Sequence, residues 1–180
     1  MPSIEVWGPG VWNLLHTLAA TIDENAFNVI FPQLFVFIKR ICVFLPCPDC
    51  AKHATQFLSR LTPQQHLFTK EKFINTFYLF HNIVNTKKNK SLYNYANMEK
   101  YKYIPISFAF NNFAKVYNTK GNMKLLTDSF QRQIIVKEFK IWLIKNIRFF
   151  KHKTKQTQPQ IQIQTQTQTQ IIEEKYEDQT

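Results

Sequence analysis

Apolar residues recur at intervals of three and four positions through the first half of the chain, which is the period of an amphipathic helix. The first such stripe consists of Val11, Leu14, Leu15, Leu18, Ala19 and Ile22. A second begins around Pro32, because proline is tolerated in the first turn of a helix, and it continues to Leu45, where Pro46 stops it. The pattern therefore predicts two consecutive helices, one starting at Val11 and one at Pro32.

A third helix is predicted to begin at a pair of cysteines, Cys47 and Cys50, where the apolar run gives way to a mixed pattern. Its apolar positions continue to Leu61, and it should end before Thr62 and Pro63, because the residue before a proline disfavours helical backbone. The C-x-x-C therefore lies in the first turn of the predicted helix.

A fourth helix is predicted after Thr69, a residue type that caps helices by accepting a backbone hydrogen bond. Its apolar and aromatic face consists of Phe73, Phe77, Phe80, His81 and Val84. A short aromatic fifth helix is expected near residues 97–103, and the helical pattern weakens after Ile104. The predicted fold class is all-α, with a four-helix bundle and a short fifth helix forming a domain over residues 1–104.

A long amphipathic segment follows at about residues 128–150, and it is expected to be a separate unit or an extra helix docked on the bundle. Its apolar positions are Phe130, Ile134, Ile135, Trp142, Leu143, Ile147 and Phe150. Residues 137–155 carry seven Lys or Arg against one acid, so residues 105–153 are expected to form a basic, helical extension. The Gln/Thr tract in residues 154–180 buries too little apolar surface to offset the entropy of ordering, and disorder is expected there.

Composition limits the function classes that fit this pattern. The 180-residue chain has 44% hydrophobic residues and 17 phenylalanines but only 3 glycines, which favours packed helices over a turn-rich sandwich.

The formal net charge of +11 suits a nucleic acid or a membrane surface, but solvated lysine-rich faces produce the same excess of positive charge, so nucleic acid is not the expected partner. The amino terminus lacks a secretory pattern, and the uncharged apolar stretch at residues 26–38 is too short to span a membrane. A protein that is neither secreted nor membrane-spanning is expected.

The cysteines indicate redox or metal chemistry. Three cysteines, one of them unpaired by count, do not form a secreted disulfide scaffold. At a helix amino terminus, Cys47 and Cys50 would meet the positive end of the helix dipole, which favours the thiolate that attacks and leaves in disulfide exchange. A zinc site would need four ligands, and the candidates are Cys47, Cys50, His53, Cys42, His16 and His81. A noncatalytic, zinc-clipped helical module with a basic nucleic-acid-binding segment is therefore the alternative to a redox dithiol.

Two further groups of residues give the dithiol a context. Each places aromatic and polar side chains four positions apart, on one face of a helix. The groups are Trp12 with His16, and His81 with Asn85, the second being followed by Lys90, Tyr93 and Tyr95. Stacking surfaces, ring hydrogen-bond partners and a lysine beside a dithiol are what a planar, anionic, redox-active cofactor requires.

At these residues the sequence resembles the Erv/ALR family of flavin-dependent sulfhydryl oxidases, in the compact form found in large DNA viruses. The resemblance covers about residues 5–103 and depends on the ordered motifs W-G-P-x-x-W-x-x-L-H, P-C-x-x-C and F-H-N-x-V-N-x-x-x-N-K. It implies a helical bundle that holds FAD noncovalently. It also implies that dithiol electrons pass to the flavin and then to molecular oxygen, giving hydrogen peroxide.

The resemblance implies roles for individual residues. Cys47 would be the exchanging cysteine and Cys50 the one beside the flavin. The residues implied for FAD binding are Gly8, Trp12, His16, Cys50, His81, Asn82, Asn85, Lys90, Tyr93 and Tyr95. Lys90 fits a basic position that faces the phosphates, whereas Tyr95 falls where many family members have a tryptophan.

The sequence departs from the family in its cysteines. Cellular members add a shuttle dithiol and a further structural disulfide, yet only Cys42 remains here outside the active pair, and it is expected to be free and buried. A dithiol protein substrate or a thioredoxin-like relay protein would therefore deliver electrons directly to Cys47 and Cys50. The resemblance further implies a homodimer and, for a viral protein, a location in the host cytoplasm or the virion.

Overall fold

The computed structural model describes residues 3–62, 69–118 and 126–154, and most of these residues are helical. The helices, in chain order, are α1 (Ile4–Thr21), α2 (Phe27–Val43), α3 (Pro48–Ser59), α4 (Lys70–Lys87), a 3-10 helix (Tyr95–Tyr103), α5 (Ile106–Tyr117), α6 (Leu126–Asn146) and a short 3-10 helix (Ile147–Phe149). Within the described residues, β pairing is limited to one isolated bridge between Ile22 and Phe150. The predicted all-α class is confirmed.

The predicted start of α1 at Val11 is wrong. The helix begins at Ile4, because the Ser3 side chain accepts a hydrogen bond from the backbone N–H of Glu5 at 3.2 Å and so caps it. Glycine and proline are weak helix formers, which hid this first part from the apolar pattern. The Trp-Gly-Pro motif therefore lies on the helix, with Pro9 inside it.

The predicted start of α2 at Pro32 is also wrong, since the helix begins at Phe27 and contains Pro32. The added residues Phe27, Ile30 and Phe31 are buried, which is worth roughly 1.5–3 kcal/mol each, against about 3 kcal/mol for an interior proline. Pro32 itself is exposed, and so is Asn28, whose carbonyl loses its helical donor there. Water can therefore satisfy that carbonyl, and burial of the three side chains extends the helix.

The predicted start of α3 at the C-x-x-C and the predicted cap of α4 are confirmed. Cys47 is the N-cap of α3 and Pro48 its first residue, so the C-x-x-C does lie at the helix amino terminus. Thr69 caps α4 by accepting a hydrogen bond from the backbone N–H of Lys72 at 3.2 Å. The short aromatic helix is also present, as the 3-10 helix Tyr95–Tyr103.

One hydrophobic core includes side chains from all six α-helices of the described residues. It forms where α1 packs against α4, α5 and the first 3-10 helix, and where α2 packs against α3 and α6. The aromatic side chains buried most completely are Phe73, Phe77, Phe113, Tyr117 and Phe139. Residues beyond 104 therefore share the core of the bundle, while the division of the chain at residue 104 stays a prediction.

The apolar pattern missed α5. Its buried residues Ile106, Ala109, Phe110, Phe113 and Tyr117 do follow helical spacing. Ser107, Asn111 and Asn112, which form helices weakly, dilute that signal in a helix of only twelve residues. The helix is held by tertiary contacts, including a hydrogen bond of 2.9 Å from the Tyr117 hydroxyl to the Ile41 carbonyl.

The long amphipathic segment is a helix docked on the bundle. The Phe37 ring centroid lies 5.1 Å from that of Phe139 and 5.6 Å from that of Trp142. The indole N–H of Trp142 also donates to Gln33 Oε1 at 2.8 Å. Phe130 and Ile147, which the sequence predicts on the apolar face, are 61% and 43% exposed, so these two predictions are wrong.

Among the described residues, no helix combines the length and the apolar character needed to cross a lipid bilayer. The Gln/Thr tract, for which disorder was predicted, lies outside the described residues except for Thr154.

Candidate active site

Cys47 and Cys50 form a disulfide at the amino terminus of α3. The backbone N–H of Cys50 donates to Cys47 Sγ at 3.2 Å, so this sulfur takes the place of a capping oxygen. Both side chains are half-buried. A thiolate released here would be stabilised by the first-turn N–H groups and by the helix dipole.

The two sulfurs differ in what they face. Cys50 lines a small, mainly apolar cleft of about 80 Å³, together with Trp7, Trp12, Phe80 and Val84. Cys47 is not among the lining residues of this cleft. The disulfide therefore presents Cys50, and not Cys47, to the cleft.

The cleft adjoins a larger pocket of about 780 Å³, and Gly8, Trp12, Val84 and Lys88 line both. That volume is within the usual range of about 300–1,000 Å³ for small-molecule and cofactor sites. Of the residues that the resemblance implies for FAD binding, those lining this pocket are Gly8, Trp12, His81, Asn85, Lys90 and Tyr93. The structure therefore brings six of these residues together, with Cys50 in the adjoining cleft.

Aromatic rings form a stack along one side of the pocket. The rings of Trp12 and His81 lie 4.2 Å apart between centroids and 10° from parallel. His81 also stacks on Tyr93, at 4.7 Å and 20°. The hydroxyls of Tyr93 and Tyr101 are 3.1 Å apart, which links the stack to the first 3-10 helix. Such a wall suits a flat aromatic ligand.

His16 lies behind this wall and contacts it through His81. His16 Nε2 and His81 Nδ1 are 2.9 Å apart, so the pair shares one hydrogen bond. Burial, followed by the charges of His81 and Lys100, lowers the pKa of His16 to about 3. Burial and the charge of Lys100 lower the pKa of His81 to about 4. Both imidazoles are therefore neutral at physiological pH.

Two asparagines of α4 hold the loop that follows the helix. Asn82 makes two hydrogen bonds with the backbone of Tyr93, accepting from its N–H at 2.7 Å and donating to its carbonyl at 3.3 Å. Asn85 donates to the Ser91 carbonyl at 3.1 Å. Asn82 is not a lining residue, so its visible effect is to fix the position of Tyr93.

Tyr95 is the predicted site residue that the structure places apart from the others. Its hydroxyl donates to Asn75 Oδ1 at 3.1 Å, and its ring meets the edge of Tyr78. The side chain is 52% exposed and lines neither cavity. An adenine contact for Tyr95 stays a prediction.

Lysines surround the larger pocket. The lining lysines are Lys88, Lys90, Lys100 and Lys115. Lys90 Nζ lies 2.6 Å from Glu5 Oε1, and Lys100 Nζ lies 5.0 Å from the centroid of the Tyr101 ring. Glu5 is the acid that offsets these charges among the lining residues. The pocket therefore favours an anionic ligand.

Several residues that line the larger pocket were not predicted from the sequence, namely Lys88, Lys100, Tyr101 and Lys115. Lys88 could have been predicted, because it follows His81 by seven positions and Asn85 by three, and it caps the carboxyl end of α4. Lys100 and Tyr101 lie in a 3-10 helix, where the α-helical period does not apply. Lys115 lies in the missed helix α5, so no signal for it was available from the predicted elements.

Cys42 is a free cysteine, as predicted, and it is 1% exposed. Burial raises the pKa of its thiol to about 12, so it stays protonated and unreactive at neutral pH. Among the described residues, no three His, Cys, Asp or Glu side chains come close enough together to hold a metal ion.

Comparison with known proteins assigns the chain to a family. Residues 9–104, a little over half of the chain, match the model of the Erv1 / Alr family. A protein of Invertebrate iridescent virus 3, which carries the provisional name FAD-linked sulfhydryl oxidase 096R, is 30% identical over 86 residues. A protein of Invertebrate iridescent virus 6, provisionally named FAD-linked sulfhydryl oxidase 347L, is 29% identical over 92 residues.

The two alignments cover 48% of this chain, and they span 58% of the first relative and 83% of the second. No solved structure matches the chain. The family match includes both cysteines of the C-x-x-C and, among the cavity-lining residues, Trp12, Phe80, His81, Lys100 and Tyr101. The chain belongs to the Erv1/Alr family.

Proposed function

We propose that the chain is an FAD-dependent thiol oxidase, which converts dithiols of partner proteins to disulfides. One observation carries this proposal: the Cys47–Cys50 disulfide places Cys50 in a cleft that adjoins a large aromatic and lysine-lined pocket. Family membership and the names of the two viral relatives support the same activity.

The residues present fit FAD. A flat isoalloxazine ring matches the stacked side chains of Trp12, His81 and Tyr93, and a diphosphate matches the lining lysines. The indole N–H of Trp7 is buried without a hydrogen-bond partner, and Trp7 lines the cleft beside Cys50. A ligand with ring nitrogen and carbonyl acceptors would satisfy such a donor.

The cysteines carry out disulfide exchange in this proposal. A thiolate of the substrate attacks Cys47 Sγ, so a mixed disulfide forms, the Cys47–Cys50 bond breaks and Cys50 leaves as a thiolate. The second thiol of the substrate, as a thiolate, then attacks the substrate sulfur that is bonded to Cys47. This attack forms the disulfide of the substrate and releases Cys47. The substrate ends as a disulfide, and Cys47 and Cys50 end as the reduced dithiol that holds its two electrons.

FAD bound in the pocket would take these two electrons and pass them to molecular oxygen, giving hydrogen peroxide. The chain's own contribution is position and charge. Cys50, on the inward side, is the sulfur that stays beside the pocket, and the amino terminus of α3 stabilises its thiolate. Cys47, which does not line the cleft, is the sulfur that a protein substrate would attack.

The histidine pair would present a neutral hydrogen-bonding group to the pocket. His16 Nδ1 is buried without a partner, and an unpaired acceptor is tolerated better than an unpaired N–H. His16 Nε2 therefore donates to His81 Nδ1, which leaves the second proton on His81 Nε2. His81 is then a fixed donor on the wall that it shares with Trp12 and Tyr93.

The electron donor would be a dithiol protein or a thioredoxin-like relay protein that reaches Cys47 directly. The third cysteine, Cys42, is buried and free, so this sequence offers no second dithiol that could act as an internal shuttle. A homodimer, and a location in the host cytoplasm or the virion, are further parts of this proposal that follow from the family resemblance.

The test is to purify the chain and record its flavin absorbance and its oxygen consumption with dithiothreitol. A yellow protein that consumes oxygen is expected, and Cys50→Ser should abolish consumption while retaining the bound flavin. A Cys42→Ser variant is the matched control and should retain activity. A colourless protein that contains stoichiometric zinc would contradict the proposal and favour the zinc-clipped alternative.

A further inference from the structure

Helix α5 supplies one wall of the large pocket, although it lies beyond the segment that matches the family model. Asn112, Lys115 and Val116 line the pocket, and their spacing of three and four places them on one face of the helix. The adjacent face is buried, with Phe113 and Tyr117 in the core. The amphipathic character of α5 therefore turns a lysine toward the pocket.

Close packing fixes the position of this wall. A Cβ atom added at Gly10 would lie 2.5 Å from Val116 Cγ2, so any side chain at position 10 would force Val116 on α5 to shift. The Tyr117 hydroxyl ties the end of α5 to the Ile41 carbonyl at 2.9 Å. The backbone at Lys115 is thus held in place by contacts on both sides.

Lys115 differs from two of the other lining lysines in its contacts. Lys90 pairs with Glu5, and Lys100 lies on the rings of Tyr93 and Tyr101. No ion pair involves Lys115 in the part of the chain that the structure describes, and α5 contains no acidic residue. Its charge is therefore available to an anionic ligand.

We propose that Lys115 binds the diphosphate of FAD, so that this chain completes its cofactor site with a helix from outside the family segment. The inference deepens the proposed function and depends on it. Gly10 is a positioning residue in this proposal, because it lets α5 come close enough for Lys115 to reach the ligand.

The test is the affinity of the full chain for FAD, measured by the change in flavin fluorescence on titration of flavin-depleted protein. Lys115→Glu should weaken FAD binding by about tenfold or more, the effect of losing a charge-assisted contact and adding repulsion. Because Lys115 is exposed, the variant should keep the far-UV circular dichroism of the wild type. The deficit should shrink as salt approaches 1 M, where the Debye length is about 3 Å.

Lys140→Glu is the matched control, because it makes the same change in net charge at an exposed position of α6 that lines neither cavity. Gly10→Ala should weaken FAD binding in the wild type but should have a smaller effect in the Lys115→Ala background. Equal affinities for Lys115→Glu and wild type would overturn the inference and leave the proposed function intact. A wild-type chain that bound no FAD would overturn both.

Discussion

Acidification should destabilise the fold through the buried pair His16 and His81. Their pKa values in the folded chain are about 3 and about 4, against 6.5 for an unperturbed histidine. Between pH 6.5 and these values the unfolded chain binds protons that the folded chain cannot, so the free energy of unfolding falls as the pH falls. The stabilisation is therefore fully present above pH 6.5 and is lost progressively below it.

The size of this loss in unfolding free energy follows from how far burial lowers the pKa values of the two histidines. Each histidine that stays neutral in the fold lowers the free energy of unfolding by about 1.4 kcal/mol per pH unit below 6.5. Between pH 7.5 and pH 5.0 both imidazoles stay neutral in the fold, so His16 and His81 should each account for about 2 kcal/mol. Such a loss is a substantial part of a typical stability of about 5–15 kcal/mol.

The assay is urea unfolding followed by circular dichroism at pH 7.5 and 5.0, with the flavin content measured at each pH. In His16→Phe, the difference in unfolding free energy between the two pH values should shrink by about 2 kcal/mol. His152→Gln, which removes an exposed histidine, is the control and should keep the full difference. A His16→Phe variant with the same pH dependence as the wild type would refute the assignment of a buried, neutral His16.

Other consequences of the structure can be measured separately. Cys42→Ser should keep near-normal turnover with dithiothreitol, and native Cys42 should resist iodoacetamide, because its thiol is buried with a pKa of about 12; loss of flavin reduction in the variant would place Cys42 in the relay. Phe139→Ala should reduce the free energy of unfolding by about 3–5 kcal/mol, because this ring is fully buried against α2 and α5, and a loss below about 1 kcal/mol would mean that α6 contributes little to the core. A chain ending at Thr154 should fold, bind FAD and oxidise dithiothreitol like the full chain, because the lining residues all precede it; failure to bind FAD would give the Gln/Thr tract a role in the site.

Local chemistry made the dithiol predictable. Prolines and a cysteine cap are short-range determinants of a helix start, so the sequence alone was enough to place Cys47 and Cys50 in the first turn of α3. The same holds for the face of α4 that carries His81 and Asn85, because residues four apart on a helix are neighbours.

Tertiary packing decided what the sequence could not show. Burial of Phe27 and Phe31 extended α2 past the apparent start at Pro32, and this burial depends on helices distant in sequence. The approach of α5 to Gly10 likewise depends on the whole fold, so no local pattern could place Lys115 beside the pocket. For Tyr95, the motif position predicts a cofactor contact that stays a prediction, and the structure shows its ring against Tyr78.

The order of the two sulfurs is the central claim, and the absorption spectra of Cys47→Ala and Cys50→Ala across pH test it most directly. Cys47→Ala leaves Cys50 free in the cleft, where the amino terminus of α3 stabilises its thiolate beside an electron-poor flavin. This variant should therefore show a long-wavelength charge-transfer band and no turnover, whereas Cys50→Ala should lack the band and trap a mixed disulfide through Cys47. A band in Cys50→Ala alone would reverse the order, and a band in neither variant would contradict the placement of the dithiol beside the flavin.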